Sequence, residues 1–138
     1  MDPGLWTVRR FDLERSWPNL PEGLERIALD VGPWARQLGV RHGQWFMLAP
    51  NGFPDDRVNR FLASAKFGVL AENTRRDYAY SLALWLSFLE SRGCPWWQAD
   101  EEHTEEFEFW RLTDPANIAT VKTSTFAKDV AACKKFYT

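Results

Sequence analysis

A chain of 138 residues, 45% hydrophobic and 26% charged, is long enough for one folded domain with an appended segment and too short for two large ones. No run approaches the roughly 18 consecutive apolar residues of a membrane span, the N-terminus lacks the apolar core of a secretion signal, and two cysteines without CxxC spacing make no disulfide framework; a soluble, cytoplasmic protein with reduced, structural thiols is expected. The formal net charge of -2 argues against a uniformly basic polyanion binder, but residues 57–92 carry six basic and three acidic side chains, residues 93–121 one and seven, and residues 122–138 four and one, so two basic segments flank an acidic one.

Up to about Val40 the chain is rich in Trp, Pro and charge without a sustained period, and WPNLPEGLERIALDVGPW reads as turns around a short helix at best. QWFML, from Gln44 to Leu48, is a short apolar run followed by Pro50 and by Asn51-Gly52, a strong two-residue turn signal, which predicts a strand and tight turn as in a short hairpin. Pro54 weakens the second strand because it has no N–H for the ladder.

From Asp55 onward the period becomes helical. Asp55 or Asp56 caps a first helix with Val58, Phe61, Leu62 and Ala65 on one face, broken at Gly68. A second helix runs from Thr74 to about Ser91, with Asn73 as N-cap and Thr74, Tyr78, Leu82, Trp85, Leu86 and Leu89 on one stripe, and Gly93 stops it. Arg75 and Arg76 occupy its first turn, where the helix dipole favours acids; they are either solvated surface groups or contacts to a phosphate backbone facing the helix start. A third helix spans Glu101 to Leu112, capped by Asp100, with Phe107 and Trp110 inward. A fourth begins near Thr125, capped by Thr123 or Ser124, with Phe126, Val130, Cys133 and Tyr137 on one stripe and Lys122 and Lys128 beside the cap. Hydroxyls with flanking lysines suit phosphate, although an ordinary capped helix has the same pattern. The expected fold is mainly α: a four-helix bundle over residues 57–138, preceded by a mostly irregular extension over residues 1–56 with a short β-hairpin.

Other chemistries find little support. The glutamates of the third helix and His103 lack an HExxH or calcium-loop spacing, so a solvated acidic face is expected and no metal or other cofactor. Eight tryptophans invite a sugar-binding reading, but Trp34, Trp45, Trp85, Trp97 and Trp110 lie where a core role is natural. There is no GxSxG, Walker or dinucleotide motif, His42 and His103 stand alone, and Tyr137 reads as a packing residue, so no catalytic residue is assigned.

The segment from about Asn59 to Tyr137 resembles the N-terminal core-binding, SAM-like domain of tyrosine recombinases of the phage integrase family. Thr74, Tyr78, Leu82, Trp85, Phe88 and Leu89 follow that family's Thr-x3-Tyr-x3-Leu-x2-aromatic-x2-Phe-Leu helix, Ser124, Thr125, Phe126, Val130, Phe136 and Tyr137 are similar to its closing helix ending in Phe-Tyr, and WWQADEEHTEEFEFWRLTDPANIATV is similar to its acidic third helix and loop. The resemblance implies a bundle forming half of a clamp on the recombination site. Its DNA-facing candidates here are Thr74, Arg75 and Arg76, and Lys122, Thr123, Ser124, Thr125 and Lys128. It implies double-stranded DNA as partner, with other recombinase protomers, and neither a membrane nor a small-molecule substrate. The family's Arg, Lys, His, Arg and Tyr catalytic set belongs to a separate C-terminal domain not expected in these 138 residues, so the expected role is DNA binding in integration and recombination without catalysis. The alternatives are a helical protein-interaction module and a truncated integrase remnant without function.

Overall fold

The computed structural model describes residues 5–13, 33, 36–37 and 39–138. The turns and short helix expected between Trp17 and Trp34, and the core role of Trp34, lie outside these residues. Among them two short strands, β1 (Thr7–Arg10) and β2 (Trp45–Leu48), precede five α-helices: α1 (Asp56–Leu62), α2 (Ala65–Gly68), α3 (Glu72–Ser91), α4 (Glu101–Leu112) and α5 (Thr123–Tyr137), with a 3-10 turn at Trp96–Gln98.

The strand expected around Trp45 forms, but its partner differs from the expected one. Asn51-Gly52 does turn the chain, with Gly52 at φ 85°, and brings Pro54 opposite Leu48 as a single bridge. Without a proline N–H the ladder stops there. β2 pairs instead with β1, antiparallel, with Val8 opposite Met47 and Arg9 opposite Phe46. Alternation along both strands sends Val8 and Met47 into the core, which they share with the helices.

Asn59 of α1 joins the sheet to the bundle. Its Oδ1 accepts the Met47 N–H at 2.7 Å, while its Nδ2 donates to the Met47 carbonyl at 2.8 Å and to the Asp55 carbonyl at 2.8 Å. Met47 is fully buried, so these backbone groups have no access to water. One amide side chain thus replaces a third strand at that residue. Asp55 starts α1 as expected, its carboxylate accepting the N–H groups of Arg57 and Val58, both at 3.0 Å.

The first helix is shorter than its apolar pattern suggested. It ends at Leu62, because the Ser64 hydroxyl donates to the Phe61 carbonyl at 2.6 Å and accepts the Phe67 N–H at 3.3 Å, closing α1 and opening α2. α3 is the central element. Leu82, Trp85, Leu86 and Leu89 are buried on the expected stripe, and Ala79, Ala83 and Phe88 widen it, since this helix meets the strands on one side and α4 and α5 on the others. Its end is a Schellman motif: Cys94 N–H donates to Leu89 and Gly93 N–H to Glu90, with Gly93 at φ 66°. α4 has the expected bounds. The Asp100 carboxylate accepts the His103 N–H at 3.1 Å while the imidazole reaches back to the Asp100 N–H at 3.3 Å, so His103 completes a capping box, and the hydrogen bond from its backbone holds the Asp100 carboxyl below its ordinary range. Trp97, expected in the core, is 53% exposed; with Trp96 it flanks the Arg57 guanidinium, 4.7 and 4.4 Å from the two ring centres.

Replacement of Asn59 by Ala leaves the buried N–H and C=O of Met47 without partners, each worth about 1–3 kcal/mol. Urea unfolding of Asn59→Ala is therefore expected to show a clear loss of stability, and hydrogen exchange at Met47 should accelerate more than in the helices.

Candidate nucleic-acid interface

The relation between α3 and α5 follows from two contacts. The Ser81 hydroxyl donates to Asp129 Oδ1 at 2.7 Å, and one turn further along α3 the Trp85 indole N–H donates to the Tyr137 hydroxyl at 3.0 Å, two turns further along α5. Both pairs advance in the same sense, so the helices run in the same direction and begin at the same end. Asp129, 2% exposed, also accepts Arg111 Nε of α4 at 2.8 Å on its other oxygen. Three helices are thereby tied at one carboxylate.

Neither helix start is capped as expected. α3 begins at Glu72 rather than Thr74, with Ala71 as N-cap, and α5 begins at Thr123 rather than Thr125, with Lys122 as N-cap; neither N-cap contributes a side-chain hydrogen bond. Asn73, Thr123 and Ser124 occupy the helical turns themselves, where a side chain no longer reaches the N2 or N3 amide as an N-cap does. α1, α2 and α4, by contrast, are capped by Asp55, Ser64 and Asp100. Among the described α-helices, the two that begin at the same end are the two that leave their first N–H groups without a side-chain cap.

Between them lies an open groove of about 510 Å³ whose walls include Asp77 and Tyr80 from α3, Thr125 and Lys128 from α5, and Arg111. Of the sequence-derived candidates, Thr125 and Lys128 line this groove, while Lys122, Thr123 and Ser124 are exposed on the first turn of α5. Arg76 is exposed and sits 3.3 Å from the Asp77 carboxylate. Thr74 is half-buried. Arg75 is not the free surface group expected: it turns toward α2, donates from Nη1 to the Gly68 carbonyl at 3.2 Å, and has a buried Nε without a hydrogen-bond partner. It lines a second recess, beside the hairpin. Sequence reasoning missed Tyr80, Ser81 and Arg111. The available signal was Asp129, a carboxylate amid the apolar residues of the last helix, which required a buried partner.

Tyr137 is 44% exposed, yet its hydroxyl is held twice, accepting from Trp85 and donating to the Trp96 carbonyl at 2.7 Å, and burial pushes its phenol up to about 12. Burial likewise raises the Cys133 thiol to about 12 and the Cys94 thiol above its usual range, disfavouring reactive thiolates. The apolar stripe of α5 does not pack fully: Phe126, Val130, Cys133 and Tyr137, with Trp85 and Phe107, border an open apolar groove of about 420 Å³. Among the described residues no group of three or more His, Cys, Asp or Glu side chains is placed to hold a metal ion, and no helix is long and apolar enough to cross a membrane.

A mainly helical bundle with a short antiparallel hairpin, closed by a central helix and a last helix that advances in the same sense, is the architecture on which the comparison with known families bears. The family model of the phage integrase N-terminal SAM-like domain matches residues 58–138, more than half of the chain, and the protein belongs to that family. It is a tyrosine recombinase-related module, and the matched domain implies interaction with DNA in general. No curated protein and no solved structure matches the chain.

Three variants test the ties around α5. Asp129→Ala leaves Arg111 largely buried and unpaired and should cost about 3–5 kcal/mol in chemical unfolding, whereas Asp129→Leu combined with Arg111→Met should recover most of that loss, because removing both charges also removes their desolvation. Tyr137→Phe leaves the buried Trp85 indole N–H without its acceptor, an expected loss of about 1–3 kcal/mol by thermal or urea denaturation.

Proposed function

We propose that this chain is the DNA-binding, core-binding module of a site-specific tyrosine recombinase acting in DNA integration and recombination, with residues 57–138 as the binding unit. It grips double-stranded DNA of the recombination core site with the end of the bundle where α3 and α5 begin. The observation that carries this reading is the convergence at one end of two helix starts without side-chain caps, accompanied by exposed Arg76, Lys122 and Lys128 and by the hydroxyls of Thr123, Ser124 and Thr125. Unpaired helix N–H groups and the positive end of the helix dipole favour phosphate oxygens, hydroxyls add short donors, and Arg and Lys supply the charge. The acidic flank of α4 disfavours phosphate on its own side and so orients the module.

These residues supply binding and no chemistry. Tyr137, whose phenol titrates near 12 and whose hydroxyl is engaged twice, is a packing and hydrogen-bonding residue in this reading. Phosphoryl transfer requires positioned cations around the reacting phosphate, and the family's cationic set belongs to its catalytic domain. Protein docking is the second reading, favoured by the apolar groove between α4 and α5.

Fluorescence anisotropy with a core-site duplex over a salt series separates the two. Wild-type affinity should fall steeply with ionic strength, and Arg76→Ala and Lys128→Ala, both exposed positions, should each weaken binding and make the log–log salt slope shallower by up to roughly 0.9, the value for one phosphate contact, with unchanged melting. Absence of binding at low salt would sink the DNA reading and leave docking.

A further inference from the structure

The hairpin lies outside the matched residues, yet it builds a basic recess against them. About 260 Å³ in volume, the recess is walled by Arg10, Arg41 and Trp45 from the hairpin region, Gly68 from α2, and Glu72 and Arg75 from the start of α3. Among the described residues, three guanidinium groups thus face one carboxylate.

Arg10 and Arg75 are held in place. Arg10 donates from Nε to the Gly43 carbonyl at 3.0 Å, pairs with Glu72 at 2.7 Å and lies over the Trp45 ring, 4.9 Å from its centre. Gly43, at φ 77°, makes this approach feasible, since a Cβ there would stand 2.9 Å from Arg10 Nη2. Arg41 reaches the end of α2, its Nη2 3.7 Å from where a Cβ on Gly68 would be, and among the described residues no carboxylate pairs with it. Arg75 spends one donor on the Gly68 carbonyl and has its Nε unpartnered. Three guanidiniums carry far more N–H donors than the two carbonyls and one carboxylate they engage among the described residues, and the complementary ligand for such an excess is an oxyanion.

We propose that this recess binds a phosphate group of the DNA backbone, making the hairpin a second part of the interface. This rests on the DNA-binding reading above. Its link to that interface is a pair of rings: Trp45, on the wall of the recess, meets Tyr80, on the wall of the α3–α5 groove, edge to face at 6.1 Å. Tyr80 is 56% exposed, so recess and groove adjoin across an accessible aromatic step. A duplex backbone crossing the start of α3 would meet both.

The test uses the full chain, a core-site duplex and inorganic phosphate. Arg41→Ala removes a guanidinium that forms no ion pair among the described residues; Arg9→Ala, on the opposite face of β1 from Arg10, controls for a generic loss of charge. The expected result is an Arg41→Ala affinity roughly tenfold weaker at about 0.1 M salt with a slope shallower by about 0.9, and a much smaller change for Arg9→Ala. Equal behaviour of Arg41→Ala and wild type, or of Arg41→Ala and Arg9→Ala, while Arg76→Ala and Lys128→Ala still weaken binding, would overturn the recess and spare the DNA reading. A wild-type chain that binds no duplex overturns both. Phosphate-induced amide shifts around Gly43 and Gly68 that vanish in Arg41→Ala, with duplex affinity unaffected by that substitution, would assign the recess to a free anion and overturn the backbone contact.

Discussion

Asp129 sets the geometry on which the proposed binding face depends. A carboxylate 2% exposed is costly to desolvate, and its two oxygens recover that cost only if each meets a donor in good geometry. One receives Ser81 from α3, the other Arg111 from α4, both bonds under 2.9 Å. Apolar contacts tolerate small rotations and slides of a helix; a buried charge held at both oxygens does not. The rotation of α5 is therefore fixed against its neighbours, and with it the position of Lys122 to Lys128 relative to the first turns of α3.

How far the sequence disclosed this arrangement depends on the range of the interactions. α4 was legible to its ends because its cap, Asp100, and its partner, His103, lie three residues apart. The stripe of α3 was legible because Leu82, Trp85, Leu86 and Leu89 repeat with the helical period. The break between α1 and α2 was missed because the apolar pattern runs on through Ala65 while a single hydroxyl, Ser64, diverts the backbone. The partner of β2 was missed because the pairing spans more than thirty residues and no local turn encodes it.

The candidate site divides in the same way. Lys122, Thr123, Ser124, Thr125, Lys128 and Arg76 could be named from composition at helix starts, and the structure leaves most of them exposed at one end of the bundle. Arg75 could not be distinguished from Arg76 by sequence alone. One residue is a rotation of 100° on a helix, enough to turn one guanidinium to solvent and the other onto the Gly68 carbonyl. Arg10, Arg41 and Tyr80 gain meaning only once the hairpin is placed against α3.

The amide of Asn59 has a bearing on solubility. A two-stranded sheet ordinarily presents a row of free N–H and C=O groups that can template a strand from another molecule, and an apolar, aromatic edge such as Trp45 to Leu48 would be a hazardous one. Here the Met47 groups on that edge are taken by a side chain, and the next residue, Leu48, faces Pro54, which has no N–H to offer a further neighbour. At Met47 and Leu48 the β2 edge is closed by chemistry rather than by length. Copies of this module therefore offer one another no free Met47 N–H or C=O on which to template a strand.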